Sequence, residues 1–130
     1  MEHSEQAAPI PNAGRPIWEL VIEDGIALQF LPGGGEITFG DDVGQRLLAD
    51  MRARDALGRQ KYGTALQAHN GRDVLRDAYE EALDLVVYLR QAIAEGYDEQ
   101  HAFEMAMLVA SALCASLIER DAESAVRAAQ

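Results

Sequence analysis

Cysteine is almost absent from this sequence: Cys114 stands alone, so no disulfide can form within one chain. Its setting, "SALCASLI", is small and apolar and reads as a buried thiol. Aromatic residues are scarce, 6% against 48% hydrophobic residues in all, a balance that favours packed aliphatic helices over an aromatic-rich sandwich. Positive charge is short as well. Lys and Arg number 11 against 22 Asp and Glu, giving a net charge of −11 and a pI of about 4.5. That deficit argues against a nucleic-acid polymer or a membrane surface as partner, since both call for basic patches. An anionic small molecule is compatible with it only where a metal ion or a local Arg/Lys cluster offsets the repulsion.

Other chemistries are excluded by missing motifs. The three histidines, His3, His69 and His101, fall in a leader, a loop and a helix start, and neither HExxH nor CxxC spacing occurs, so nothing points to zinc. GxSxG, SxxK and a Walker A loop are absent, which removes the case for a serine nucleophile or a P-loop. "GGG" at 33–35 lacks phosphate-binding spacing and reads as a turn. The N-terminus, "MEHSEQAAPIPNAG", lacks the basic-then-apolar pattern of a signal peptide. The longest apolar run, Ala102 to Ile118, is shorter than a bilayer span and carries Glu104. The expectation is a soluble, cytoplasmic protein.

What is present is helical periodicity. Residues 1–15, with Pro9, Pro11 and Gly14, read as a flexible leader. Residues 16–40 read as a small β-element, with a hairpin turn at Asp24-Gly25 and a third short strand in "GGGEITFG". Residues 41–130 read as one helical domain. A first helix, capped by Asp41 or Asp42, runs to about Gln60 with Val43, Leu47, Leu48 and Met51 on one face. "KYGTALQAHNG" is a loop. Asn70 or Gly71 opens a second helix, about Arg72 to Glu95, which Gly96 stops. Asp98 caps a third helix that frays towards Gln130 and is rich in Ala, Ser and Met, as suits close helix–helix or subunit packing. The fold class is therefore mainly α, a helical bundle completed by oligomerisation, with a small N-terminal β-hairpin.

The second helix carries the chemistry. Asp73, Asp77, Glu80 and Asp84 fall at i, i+4, i+7 and i+11, within an arc of roughly 60° at 100° per residue, with Glu81 beside them. A solvated acidic face, with Leu75, Ala78, Ala82, Leu85 and Leu89 buried behind it, accounts for the outer acids. It does not account for Asp84, which sits in "ALDLVVYL" with apolar neighbours on nearly every side, where a lone carboxylate is costly. Like charges one turn apart also repel. Oxygen-only ligands of this kind select a hard cation, Mg²⁺ or Mn²⁺, which bridges to substrate phosphates. Arg52, Arg54, Arg59, Lys61, Arg72 and Arg76 flank the stripe in sequence and as a group suit an anionic phosphate substrate; singly, Arg52 and Arg76 read as solvated charges.

"EEALD" followed by "LVVYL" resembles the second half of the MazG-like signature, an ExxD on a helix, matched by Glu81 and Asp84. The stretch from "RDALGRQKYGTALQ" through "HNGRDVLRDAYEEALDLVVYLRQAI" is similar to short phage-type MazG-like proteins, among them the MazZ group of phages that replace adenine with 2-aminoadenine. The resemblance covers roughly residues 41–95. It implies an all-α nucleoside triphosphate pyrophosphohydrolase, related to the dimeric all-α dUTPases, that uses two or more Mg²⁺ (or Mn²⁺) ions and releases a nucleoside monophosphate and pyrophosphate. A homodimer or homotetramer, with the site near subunit contacts, is implied too. The implied ligands are Glu81, Asp84 and Asp77, with Glu80 or Glu81 orienting the attacking water and Asp84 completing the catalytic set. Lys61 and Arg54 would balance phosphate charge; Tyr62, Asn70 and Arg72 would meet sugar, base or phosphate. The family's first-half ExxE is missing between Asp41 and Gln60, and Asp55, with Asp50 in reserve, is the expected replacement. dGTP is the favoured substrate. The rivals are a dUTPase- or dCTPase-like hydrolase and a non-catalytic helical oligomer that docks a basic partner.

Overall fold

The computed structural model describes residues 6–27, 30–31, 35–36 and 42–130. Among them it is mainly helical: α1 spans Ile17–Ala27, α2 Asp42–Tyr62, α3 Val74–Ala94 and α4 Gln100–Ala128, with two-residue strands β1, Phe30–Leu31, and β2, Gly35–Glu36. No proline follows Pro32, so nothing in the backbone interrupts the three long helices. The described residues divide into two units, one within residues 7–72 and the other residues 73–130 together with Gln6.

In the unit of residues 7–72, α1 lies against α2. Here the expected hairpin turn at Asp24-Gly25 is corrected, because both residues lie inside α1. The physical reason is legible afterwards. Ile17, Leu20 and Val21 keep a 3.6-residue spacing, Pro16 precedes the first helical residue, and Glu19 sits in the first turn. Arg15 adds ion pairs to Glu19 and Glu23 one and two turns on. These terms outweigh the cost of about 1 kcal/mol for a glycine in a helix. β1 and β2 pair antiparallel, Phe30 opposite Glu36 and Leu31 opposite Gly35. Asp41, Gly33 and Gly34 of the "GGG" turn and residues 37–40 of "GGGEITFG" lie outside the described residues.

Residues 7–16, which read as leader, run along the loop after α2. The Ile10 amide donates to Asn70 O at 2.8 Å and the Ile17 amide to Leu66 O at 2.7 Å. Gln67 Nε2 donates to Asn12 O and Gly14 O, both at 2.6 Å, while its Oε1 accepts from the Asn12 amide at 3.0 Å. Asn12 Nδ2 returns a bond to Ala68 O at 2.9 Å. The loop turns through left-handed residues, among them Gly71 at φ 87° and His69 at φ 57°. At Gly71 a Cβ would only touch Ile10 Cδ1, at 3.4 Å, so it is the left-handed backbone that calls for glycine.

In the other unit, α3 and α4 form an antiparallel hairpin, packed on each other along their length. Asp73, not Asn70 or Gly71, caps α3: its side chain accepts from the Arg76 amide at 3.2 Å. Gly96, at φ 101°, ends α3 as expected; its amide donates to Ile93 O at 3.1 Å and the Tyr97 amide to Ala92 O at 3.0 Å, the paired bonds of a Schellman motif. Asp98 does not cap α4; the cap position is Glu99, with no side-chain bond, and the helix continues to Ala128. The buried residues of the hairpin are Ala82, Ala106, Ala110 and Leu117. Three of the four are alanines, so the helix axes can approach closely. No large side chain is fully buried among the described residues.

Candidate functional site on helix α3

Because α3 is continuous from Val74 to Ala94, the spacing of its acids holds in three dimensions. Asp77, Glu80 and Asp84 share an arc of about 60° roughly opposite Ala82, the residue buried against α4, and Glu81 lies about 40° further round. Asp77, Glu80 and Asp84 are half-buried, and Glu81 is exposed. The apolar surroundings of Asp84 are themselves partly open: Leu83, Leu85, Val87 and Tyr88 are all exposed.

Asp73 stands apart from the other acids of the stripe. Arg120 Nη1 donates to its Oδ1 at 2.6 Å, and this bond, ahead of the Arg76 amide, holds the Asp73 carboxyl below its ordinary range. The same pair raises Arg120. Gln6 joins here too: its Oε1 accepts from the Asp73 amide and its Nε2 donates to Asp77 Oδ1, both at 2.7 Å. Neither Gln6 nor Arg120 was visible as a neighbour from sequence, since 67 and 47 positions separate them from Asp73 and no local spacing encodes such contacts.

The remaining sequence candidates belong to the unit of residues 7–72. Asp55 is held by Arg59, Nε to Oδ1 at 2.9 Å, and Asp50 by Arg46 at 3.1 Å, both one helical turn away. Arg54 is exposed, and Lys61 Nζ lies 5.1 Å from the centroid of the exposed Tyr62 ring. Asn70 is buried, and its Oδ1 accepts from the Arg72 amide at 3.1 Å. Arg72 Nη1 donates to Ala7 O at 3.1 Å. Both residues thus shape the loop. His69 and His101 are exposed.

Among the described residues, no three or more His, Cys, Asp or Glu side chains converge as the ligands of one ion. The donor chemistry nevertheless suits Mg²⁺. That ion commonly takes only one or two protein carboxylates, with waters and substrate phosphates completing its shell. Carboxylates one turn apart, as Glu81 and Asp84 are, meet that need without a closed protein cage.

A second feature lies on the same hairpin. Tyr79, Leu83 and Val86 of α3, with Met107, Ala110, Ser111, Cys114, Ala115 and Ile118 of α4, line an open apolar groove of about 470 Å³. Cys114 is half-buried there, and its thiol beside Tyr79 raises the phenol above its ordinary pKa. Comparisons with protein-family models, curated proteins and solved structures return no significant match to this chain.

Proposed function

We propose that this chain is a Mg²⁺- or Mn²⁺-dependent nucleoside triphosphate pyrophosphohydrolase of the MazG-like type, releasing a nucleoside monophosphate and pyrophosphate. The observation that carries the reading is the acidic stripe of α3, with half-buried Asp84 at its inner end in a segment otherwise apolar from Ala82 to Leu89. A carboxylate in such an apolar segment, with further acids one turn away, is a suitable ligand for a hard divalent cation. Glu81 and Asp84, with Asp77, are the proposed metal ligands. In such a site a divalent ion neutralises phosphate charge and lowers the pKa of a bound water.

The chain's own part in the reaction follows from chemistry at α3. Glu80 or Glu81 accepts a proton from the attacking water and so orients it toward the α-phosphorus. Gln6 donates to Asp77 Oδ1 at 2.7 Å and so helps to orient that carboxylate. Arg54 and Lys61 are the proposed phosphate partners, both exposed on α2. A purine deoxynucleotide, dGTP, is the first substrate to try.

The test is a panel of ribo- and deoxyribonucleoside triphosphates, dGTP, dUTP and dCTP included, with Mg²⁺ or Mn²⁺, scored for pyrophosphate against orthophosphate. Pyrophosphate release that stops on chelation is expected. Orthophosphate release would remove the MazG-like reading, and no turnover of any nucleotide would remove the enzymatic one. Turnover of dUTP or dCTP alone would place the activity with the pyrimidine hydrolases.

A further inference from the structure

Gln6 sits in "EQAAPIP", where no local pattern assigns it a role and no resemblance to the MazG-like family extends. Its side-chain amide is nevertheless tied to α3 at both ends. Oε1 accepts from the Asp73 amide and Nε2 donates to Asp77 Oδ1, each at 2.7 Å and partly buried. The two bonds together fix which way the amide faces. Reversed, it would set its NH₂ against a donor and its carbonyl oxygen against a carboxylate. Few side chains could serve both groups. Glu would bring a second carboxylate against Asp77, Lys or Arg would have nothing to offer the Asp73 amide, and Asn is one methylene shorter. The far side of the contact is held as well, because the Asp73 carboxylate accepts from Arg120 Nη1 at 2.6 Å and from the Arg76 amide at 3.2 Å.

We infer that Gln6 sets which cation the acidic stripe accepts, holding Asp77 to a contact through one oxygen and so favouring Mg²⁺ or Mn²⁺ over Ca²⁺. The inference rests on the proposed role of Asp77 as a metal ligand. Ca²⁺ is the larger ion, takes more oxygens and commonly chelates both oxygens of one carboxylate, whereas Mg²⁺ keeps to an octahedron and retains waters. Chelation by both oxygens draws on Oδ1, which already receives the Gln6 N–H, and so competes with that bond. Moving Gln6 aside would also strip the Asp73 amide of its acceptor, so two bonds oppose the change together. Gln6 is therefore a positioning residue: it acts on the ion through Asp77. Ligating carboxylates are themselves commonly held by such neighbours, and loss of one changes metal affinity by about tenfold or more.

The test needs no nucleotide. Mn²⁺ is titrated into the full chain and followed by electron paramagnetic resonance, with Mg²⁺ and Ca²⁺ as competitors. The wild type should release Mn²⁺ to Mg²⁺ more readily than to Ca²⁺. In Gln6→Ala the ratio of the two competitors should shift about tenfold toward Ca²⁺, with helical circular dichroism retained. A role confined to holding the fold would weaken both competitors alike and leave that ratio where it was. Gln6→Leu, close to glutamine in size but without its amide, should shift the ratio equally, which separates the hydrogen bonds from side-chain bulk. Asp77→Asn should weaken Mn²⁺ binding by about tenfold or more. An unchanged ratio in both Gln6 variants, with Asp77→Asn still weakening Mn²⁺, overturns the inference and leaves the proposed ligands standing. A wild type that takes Ca²⁺ ahead of Mg²⁺ does the same. Absence of Mn²⁺ binding by the wild type, or binding that Asp77→Asn leaves intact, removes Asp77 as a ligand and the inference with it.

Discussion

Arg120 Nη1 lies 2.6 Å from Asp73 Oδ1, joining the last third of α4 to the N-cap of α3. One carboxylate thereby serves two helices. It accepts the Arg76 amide in the first turn of α3 and fixes where α4 sits along it. The alanine seam between the helices does not set that register by itself, because small side chains in succession pack almost equally well after a slip of one turn.

Asp73 should therefore contribute stability with a defined pH dependence. Its folded pKa is depressed, so the contribution is present above the unfolded value near 3.9 and is lost as pH falls through the lower folded value. Both side chains are 37% exposed, so solvent screening keeps the ion pair weak. Asp73→Asn keeps the cap and should lose only that small amount at pH 7, with the difference shrinking at acid pH, as pH falls through the lowered folded value. Asp73→Ala should lose about 1 kcal/mol more at either pH, as the cap goes too. Urea denaturation at pH 7 and at pH 3 measures both; equal losses for the two variants would refute the capping role.

Ala82 is buried where α3 meets α4. Ala82→Leu should cost about 1–3 kcal/mol by forcing the helices apart, despite its gain in hydrophobicity. Thermal unfolding is the measurement. A rise in Tm would mean that the helices are not in close contact at this point.

Gln67 ties residues 12–14 to the loop after α2 through three hydrogen bonds. Gln67→Ala should release that segment and speed subtilisin cleavage within residues 12–15, while α3 and α4 keep their amide-exchange protection. Unchanged cleavage would show that Asn12 and Ile10 suffice to hold the strand-like pairing.

Asp84→Asn removes the charge and keeps the shape. On the proposed function it should lower pyrophosphate release at least 100-fold, with helical content unchanged. Retained turnover would rule out Asp84 as a ligand and shift attention to Asp77 and Glu80. Glu81→Gln provides the parallel test of the exposed partner.

Much of the helical half was legible because its signals are local. Gly96 stops α3 since only glycine readily takes the left-handed conformation of its Schellman motif. The acids of α3 share an arc since 3.6-residue periodicity places them there. The N-terminal region was misread where two local signals compete. Asp24-Gly25 suits a hairpin turn, yet the spacing of Ile17, Leu20 and Val21 and the capping chemistry around Pro16 make α1. At the candidate site, the acids of α3 could be read from sequence, but not Gln6 or Arg120, whose partners lie tens of residues away.

By itself, then, the sequence determined the helical class, the end of α3, the shared face of Asp77, Glu80 and Asp84, and the excess of apolar surface on α4. Each follows from composition or from the periodicity of one segment. Tertiary structure decided which partners the charges take: Arg120 for Asp73, Gln6 for Asp77, and the N-terminal segment for the loop that carries Asn70. It also decided that most of the large apolar residues of α4, Leu117 excepted, stay exposed beside α3. Hydrophobic pattern states which surface must leave water, whereas only the packed chain shows how much of it has already found a partner.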